Sequence, residues 1–340
     1  MNIVRYEDER FWCLWEKLID SVDYNHPIFS ELGLSYYKEY FFKNEKIENL
    51  SFIVLNNNTP IIGVIMSINI KDNNVNLSGF GRGLNYIENN LGNIEGIKNA
   101  RKFFNKEFDN ILNLKNISQI FYRDYCSVDG NLSVLARRLL DMGGVPSNHF
   151  IQIIDLEQEI EVIRSNLSKS CKHSVNWGGE NLEVRLFNST NISFRNIDKL
   201  RDLHIKESGR ETRSKESWEI MYQMILSNKA FLIEGKFDKN VVTSSLFYLN
   251  KKVCLYAVSA TQRSLFDKPI GHVVLWEAIC KAKNLNCKYF DSGGLVYNTQ
   301  NNYVSLKQLN INRYKKNFGG KTKSQLTIKW GNNNIIDSRI

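Results

Sequence analysis

The chain has 340 residues, 42% of them hydrophobic and 24% charged, with only four prolines. That length suits two domains with separate cores, and the composition excludes a long disordered tract. The net charge of +9 is uneven: residues 1–160 carry 16 basic and 21 acidic side chains, whereas residues 161–340 carry 29 and 15, a surplus of +14. Such a surplus suits an anionic partner, a nucleotide, a pyrophosphate-bearing cofactor or RNA, and equally suits a solvated basic surface.

Six cysteines occur, at positions 13, 126, 171, 254, 280 and 287, none in a C-x-x-C pair. They read as free thiols of a reducing compartment rather than zinc ligands. The opening "MNIVRYEDERFWCLWEKLID" lacks a basic region followed by an apolar stretch, and the longest apolar runs, such as "PIIGVIM", are far too short to span a membrane. The expectation is a cytoplasmic protein without membrane insertion.

In chain order, the first predicted element is a helix with Phe11, Trp12, Trp15, Leu18 and Ile19 on one side. Residues 51–70, "SFIVLNNNTPIIGVIMSINI", read as a hairpin whose two β-rich runs flank a cluster of turn formers. A charged helix follows at about 94–111, then a strand at 117–125, a helix over 131–144 that ends on a glycine pair, and a strand at 150–156. The segment 162–176 has a helical pattern carrying Arg164, Lys169, Lys172 and His173, and ends at Gly178-Gly179.

The second half repeats the rhythm. Helices are predicted over 196–210 and 215–228. Residues 231–260 read as three strands joined by turns at Lys236–Asn240 and Asn250–Lys252. A helix over 272–286, a strand "KYFDSGG" (288–294) and a final strand at 323–330 complete it. Each half runs helix, strands, helix, strand, which predicts two related α/β (α+β) units in tandem, mainly antiparallel. The expected division is 1–160, a basic helical linker 161–180, and 181–335.

Several chemistries are excluded. No G-x-x-x-x-G-K-[ST] loop, H-E-x-x-H or G-x-S-x-G motif occurs, and the five histidines are scattered without metal-ligand spacing. Three stretches remain. In "KPIGHVVLWEAI" (268–279) a Pro-x-Gly loop enters a helix, whose free N–H groups are a natural phosphate seat; Gln262, Arg263 and Lys268 lie beside it. In "KYFDSGG", Asp291 at the end of a buried strand can act as a base or cap the turn. In "INRYKKNFGG" (311–320), Tyr314 and Phe318 fall on one helical face beside Lys315, before a glycine pair. A lysine held there can stabilise an oxyanion or a phosphate.

Taken in this order, the three stretches resemble the C-terminal domain of the Fem-like transferases of the GNAT acyltransferase superfamily. That family includes peptidoglycan aminoacyltransferases using charged tRNA and acyltransferase-like members linked to surface polysaccharides. The likeness covers about 160–330 by motif and the first half by element order. It implies two tandem GNAT-like domains, and it puts the lysine of the family's Phe-Lys-x-x-Phe-Gly motif on Lys315, with Tyr314 replacing the common Phe and with Phe318 and Gly319 completing the match. Asp291 matches the Asp before the family's glycine pair, and "HIKESGRETRSKESWEIM" (204–221) resembles an Arg-bearing segment that makes Arg210 a substrate or structural arginine. Departures are the absent compact CoA loop, since Gln262-Arg263 is followed by the longer "SLFDKPIGH", and the absence of a long coiled-coil insertion.

The resemblance implies an N-acyltransferase that moves an acyl group from acyl-CoA, such as acetyl-CoA, to the amine of an amino sugar or cell-envelope precursor. No tightly bound cofactor and no metal are expected. Asp291 or His272 would take the amine proton and Lys315 would stabilise the carbonyl oxygen. Gln262, Arg263, Lys268 and Gly271 would hold phosphates. Tyr256, Tyr314 and position 258, counted as the serine of "YAVSA", are assigned to substrate. Tyr36 and Tyr37 are assigned to the acceptor, although aromatics in that order also suit a core. Two other readings use the same fold: an aminoacyl-tRNA donor, favoured by the basic second half, and a non-catalytic binding protein, allowed by the missing CoA loop.

Overall fold

A computed structural model describes residues 1–89, 94–125, 131–298 and 303–331. The chain divides into two units: residues 1–25, 29–149 and 324 onward form the first, and 26–28 with 150–323 form the second. The division therefore falls at 149/150, not at 160. The 161–180 segment belongs to the second unit, and the last strand returns to the first. Local pattern does not reveal such a return, because its partners are some 200 positions away.

The first unit opens with β1 (Asn2–Arg5), α1 (Phe11–Ser21) and α2 (Glu31–Phe42). Then come β2 (Ile47–Asn49), β3 (Phe52–Asn56), β4 (Thr59–Ile65), β5 (Ser67–Lys71), β6 (Asn74–Ser78) and β7 (Asn85–Glu88). The unit continues with α3 (Ile94–Leu114), β8 (Gln119–Arg123), α4 (Val134–Asp141) and the start of β9 (Val145–Asp155). The β3–β4 hairpin turns on Asn57 (φ 47°) and Asn58 (φ 66°), a left-handed pair that asparagine tolerates better than other side chains. One sheet has the order β1-β3-β4-β7, all antiparallel. The rest of the strands pair around β8, which runs parallel to β6. The α3 face formed by Ala100, Phe104 and Phe108 closes the core over Phe52, Val54 and Val64.

The second unit contains α5 (Ile160–Ser165), α6 (Lys169–Asn181), β10 (Glu183–Phe187), α7 (Phe194–Ser208), α8 (Lys215–Leu226), β11 (Ala230–Phe237), β12 (Asn240–Leu249) and β13 (Val253–Thr261). After them come α9 (His272–Asn284), β14 (Tyr289–Leu295), α10 (Leu306–Asn317) and β15 (Lys321–Gly331), whose last residues pair with β8 in the first unit. The strand order is β10-β11-β12-β13-β14-β9, antiparallel except for β13 with β14. Phe231, Phe247, Phe290, Trp276 and Phe318 are among the buried side chains of its core. Each large side chain so buried contributes about 2–3 kcal/mol relative to exposure.

Two helical readings change. The predicted 162–176 helix is two helices, broken before Ser168, whose hydroxyl caps α6 by accepting from the Cys171 N–H. Gly178 does not end α6, which runs on to Asn181. A Cβ at Gly178 would lie 2.7 Å from Val273 Cβ, so this glycine lets α6 and α9 approach closely. Gly143, at φ 87°, does end α4 as expected. Cys13, Cys171, Cys254, Cys280 and Cys287 are free thiols, with Cys126 outside the described residues.

Candidate active site

The parallel pairing of β13 and β14 lasts only from Val253–Leu255 against Tyr289–Asp291. Beyond it each strand departs from regular pairing. The register of β13 on β12 shifts next to Phe247, and that of β14 on β9 shifts between Asp291 and Gly294. Past the end of the pairing lies a cleft of about 1260 Å³. Its walls are the far half of β13 (Tyr256, Ser259, Thr261), the start of α9 (Gly271, His272), the α10 face bearing Tyr314 and Lys315, and one side each of α6 and α7.

Lys315 reaches this cleft and its Nζ donates to the Gly294 carbonyl at 2.7 Å. Burial lowers its pKa from the ordinary lysine value, and the charge of Asp291 opposes that shift. Asp291 is 1% exposed and does not line the cleft. Its Oδ1 accepts from the Gly293 N–H at 2.7 Å, so it caps the turn that presents the Gly294 carbonyl to Lys315. The base role proposed for Asp291 is therefore replaced by a supporting one.

His272 lines the cleft. Its Nδ1 lies 3.3 Å from the Pro269 carbonyl. A carbonyl only accepts, so Nδ1 carries the hydrogen and Nε2 keeps its lone pair. Burial lowers its pKa, which keeps the ring neutral near pH 7. The ring is fixed by a stacked contact with Phe318 (centroids 5.9 Å apart) and an edge contact with Tyr314 (5.0 Å). Tyr314 is anchored in turn, its hydroxyl donating to the Gly271 carbonyl at 3.0 Å. Tyr314 and Phe318, four positions apart, thus hold His272 in place.

The phosphate-binding set divides. Arg263, Lys268 and Gly271 line the cleft, but Gln262 lines a separate hollow of about 580 Å³, with its amide donating to Ser264. Arg263 lies 3.9 Å from Glu207, and Lys268 donates to Asp267 at 2.7 Å, so each cation has an acidic neighbour. Gly271 precedes α9 without a side-chain cap. Position 258 is a valine, Val258, 5% exposed; the strand's serine is Ser259, which lines the cleft as Tyr256 does. Arg210 is exposed and does not line it. In the same segment Arg213 donates to His204 Nε2 at 3.1 Å and lies over the Trp218 ring. Tyr36 and Tyr37, 4% and 7% exposed, pack in the first unit, and the Tyr37 hydroxyl accepts from Arg82.

The sequence reading missed His173 and Trp177 of α6, His204 and Glu207 of α7, and Lys307 and Asn310 of α10. Lys307, Asn310 and Tyr314 share one helical face at 3.6-residue spacing, a signal present in the sequence. His204 is no free base: its Nε2 is taken by Arg213, and burial, followed by the Arg213 charge, lowers its pKa to about 4.

No protein-family model matches the chain, and no curated protein matches it. Solved structures do resemble it. A crystal structure of FemX superposes with TM-score 0.71 at 10% identity, covering 96% of this chain and 97% of that one. L-PGS from Bacillus licheniformis gives 0.58 at 10%, covering 97% and 93%. A tandem GNAT protein from the clavulanic acid biosynthesis pathway gives 0.53 at 9%, covering 97% and 98%. Likeness at such low identity speaks to fold: the chain has the Fem-like, tandem GNAT architecture.

Proposed function

We propose that the cleft of the second unit transfers an acyl group from acyl-CoA to the amine of an amino sugar or cell-envelope precursor. The observation that carries this reading is His272, with its Nδ1 turned to the Pro269 carbonyl, in one cleft with Lys315 and the start of α9. The amine nitrogen attacks the thioester carbonyl carbon, and His272 Nε2 takes the proton it sheds. Negative charge builds on the carbonyl oxygen and is met by Lys315. Collapse of the tetrahedral adduct forms the amide and expels the CoA thiolate. Arg263, Lys268 and the α9 N-terminus hold the donor's phosphates. Holding both substrates together contributes much of the rate.

A second reading keeps the site and exchanges the donor for an aminoacyl-tRNA, supported by the +14 surplus of residues 161–340. Thiol release from acetyl-CoA, measured across a panel of free, phosphorylated and nucleotide-linked amino sugars, tests the first reading. We expect release that depends on the amine and falls about 10²-fold or more in His272→Ala. No release from any acyl-CoA, with aminoacyl transfer from charged tRNA, would replace the first reading with the second.

A further inference from the structure

We propose that the first unit holds a binding site for an oxyanion, a carboxylate or a phosphate, at the paired guanidinium groups of Arg82 and Arg123. Arg123, at the end of β8, is 5% exposed, and its Nε has no hydrogen-bond partner; nor has the Nε of Arg82. Among the described residues the Arg123 side chain donates no hydrogen bond and enters no ion pair, and the Arg82 side chain donates one bond, to the Tyr37 hydroxyl at 3.2 Å. The neighbouring Asp124 accepts from the Ser133 N–H through its Oδ2.

Aromatic rings surround the pair instead. The Arg123 guanidinium carbon is 5.3 Å from the Tyr125 ring centroid, and that of Arg82 is 4.8 Å from Tyr37 and 5.4 Å from Phe41. The phenols of Tyr24 and Tyr36 also act on the two arginines. Ring faces attract cations, but by less than the desolvation penalty of one buried ion, and these two like charges also repel. The backbone brings the two segments together: the Leu84 N–H donates to the Phe121 carbonyl of β8 at 2.9 Å. The loop after β6 holds Phe80 at φ 56° and Gly81 at φ 80°, with their N–H groups donating to Ser67 and Ser78 hydroxyls at 3.1 Å. A left-handed phenylalanine is unfavourable and marks a constrained segment. A Cβ at Gly83 would stand 2.6 Å from the Arg123 backbone nitrogen, so only glycine allows the Arg82 loop to lie on that strand.

An anion with two or three oxygens supplies what the pair lacks, because guanidinium forks match carboxylate and phosphate oxygens. Arg82 is only partly buried, which leaves a path from solvent. The site stands independently of the chemistry assigned to the second unit.

Thermal melting of the whole chain at fixed ionic strength, with chloride replaced by phosphate in one arm and by acetate or succinate in the other, tests it. The wild type should show a saturable rise of about 2–4 °C in at least one arm, and the arm that responds names the group. Arg82→Gln and Arg123→Met should lose the response. Arg123→Met should also melt in chloride at or above the wild-type temperature, because it removes an uncompensated buried charge. No anion-specific shift in the wild type, an undiminished response in both variants, or a chloride melting temperature several degrees lower in Arg123→Met would overturn the proposal; the last result would mean the rings alone hold the cation.

Discussion

Lys315 and Asp291 show how much one residue's role depends on which neighbour it faces. Both stood out in the sequence, one for its place between two aromatics and one for ending a buried strand before two glycines. The structure places Lys315 in the cleft and Asp291 behind it, bonded to the turn. Lys315→Ala should lower kcat for acyl transfer by about 10²–10³-fold, the range for loss of one oxyanion donor. Assays that separate kcat from KM check this, and retained turnover would remove Lys315 from the mechanism. His204 and His272 make a pH prediction. Both have folded pKa values below the unfolded value of 6.5, with His204 at about 4. As pH falls below about 6.5 the unfolded chain binds protons that the folded chain refuses, so stability present above pH 6.5 is lost toward pH 4. Denaturant unfolding at pH 7 and pH 5 should differ by about 1–2 kcal/mol on account of His204, discounted for its partial exposure. His204→Gln should shrink that difference.

Among the elements, those of the second unit were the most legible. "FLIEGKFDKNVVTSSLFYLNKKVCLYAVSA" alternates and is punctuated by turn formers, and it folds as β11, β12 and β13 close to the expected limits. Less legible was what each glycine is for. Gly178 looked like a helix end and proved to be a helix contact. The pair after α10 proved to do both jobs. Gly319 follows the helix at φ 79°, and Gly320, at φ 77°, would carry a Cβ only 2.2 Å from the Ile153 carbonyl oxygen of β9. Gly320→Ala should therefore destabilise the second unit by at least 1–3 kcal/mol, by strain and by displacement of backbone. Phe318→Ala, at a fully buried position, should remove about 3–5 kcal/mol and free the His272 ring it stacks on. Equilibrium unfolding measures both, and wild-type stability in either variant would contradict the packing described.

At the scale of the whole molecule, the tandem arrangement was legible from element order, whereas the division at 149/150 and the return of the last strand were not. Strand pairing between Thr327 and Arg123 joins residues with no local relation in sequence. The same limit hid the α6 and α7 walls of the cleft, because apposed helix faces leave no mark in either helix alone. Whole-molecule charge bears on the donor. An RNA donor predicts affinity falling steeply with added salt, and acyl-CoA predicts a weaker dependence. The most direct test of the account is a thermal-shift titration with acetyl-CoA on the wild type and on the Arg263→Glu/Lys268→Glu variant, two side chains that line the cleft without belonging to the core. A saturable rise in melting temperature is expected for the wild type, and its loss in the variant. No rise at millimolar acetyl-CoA, or an equal rise in both proteins, would contradict it.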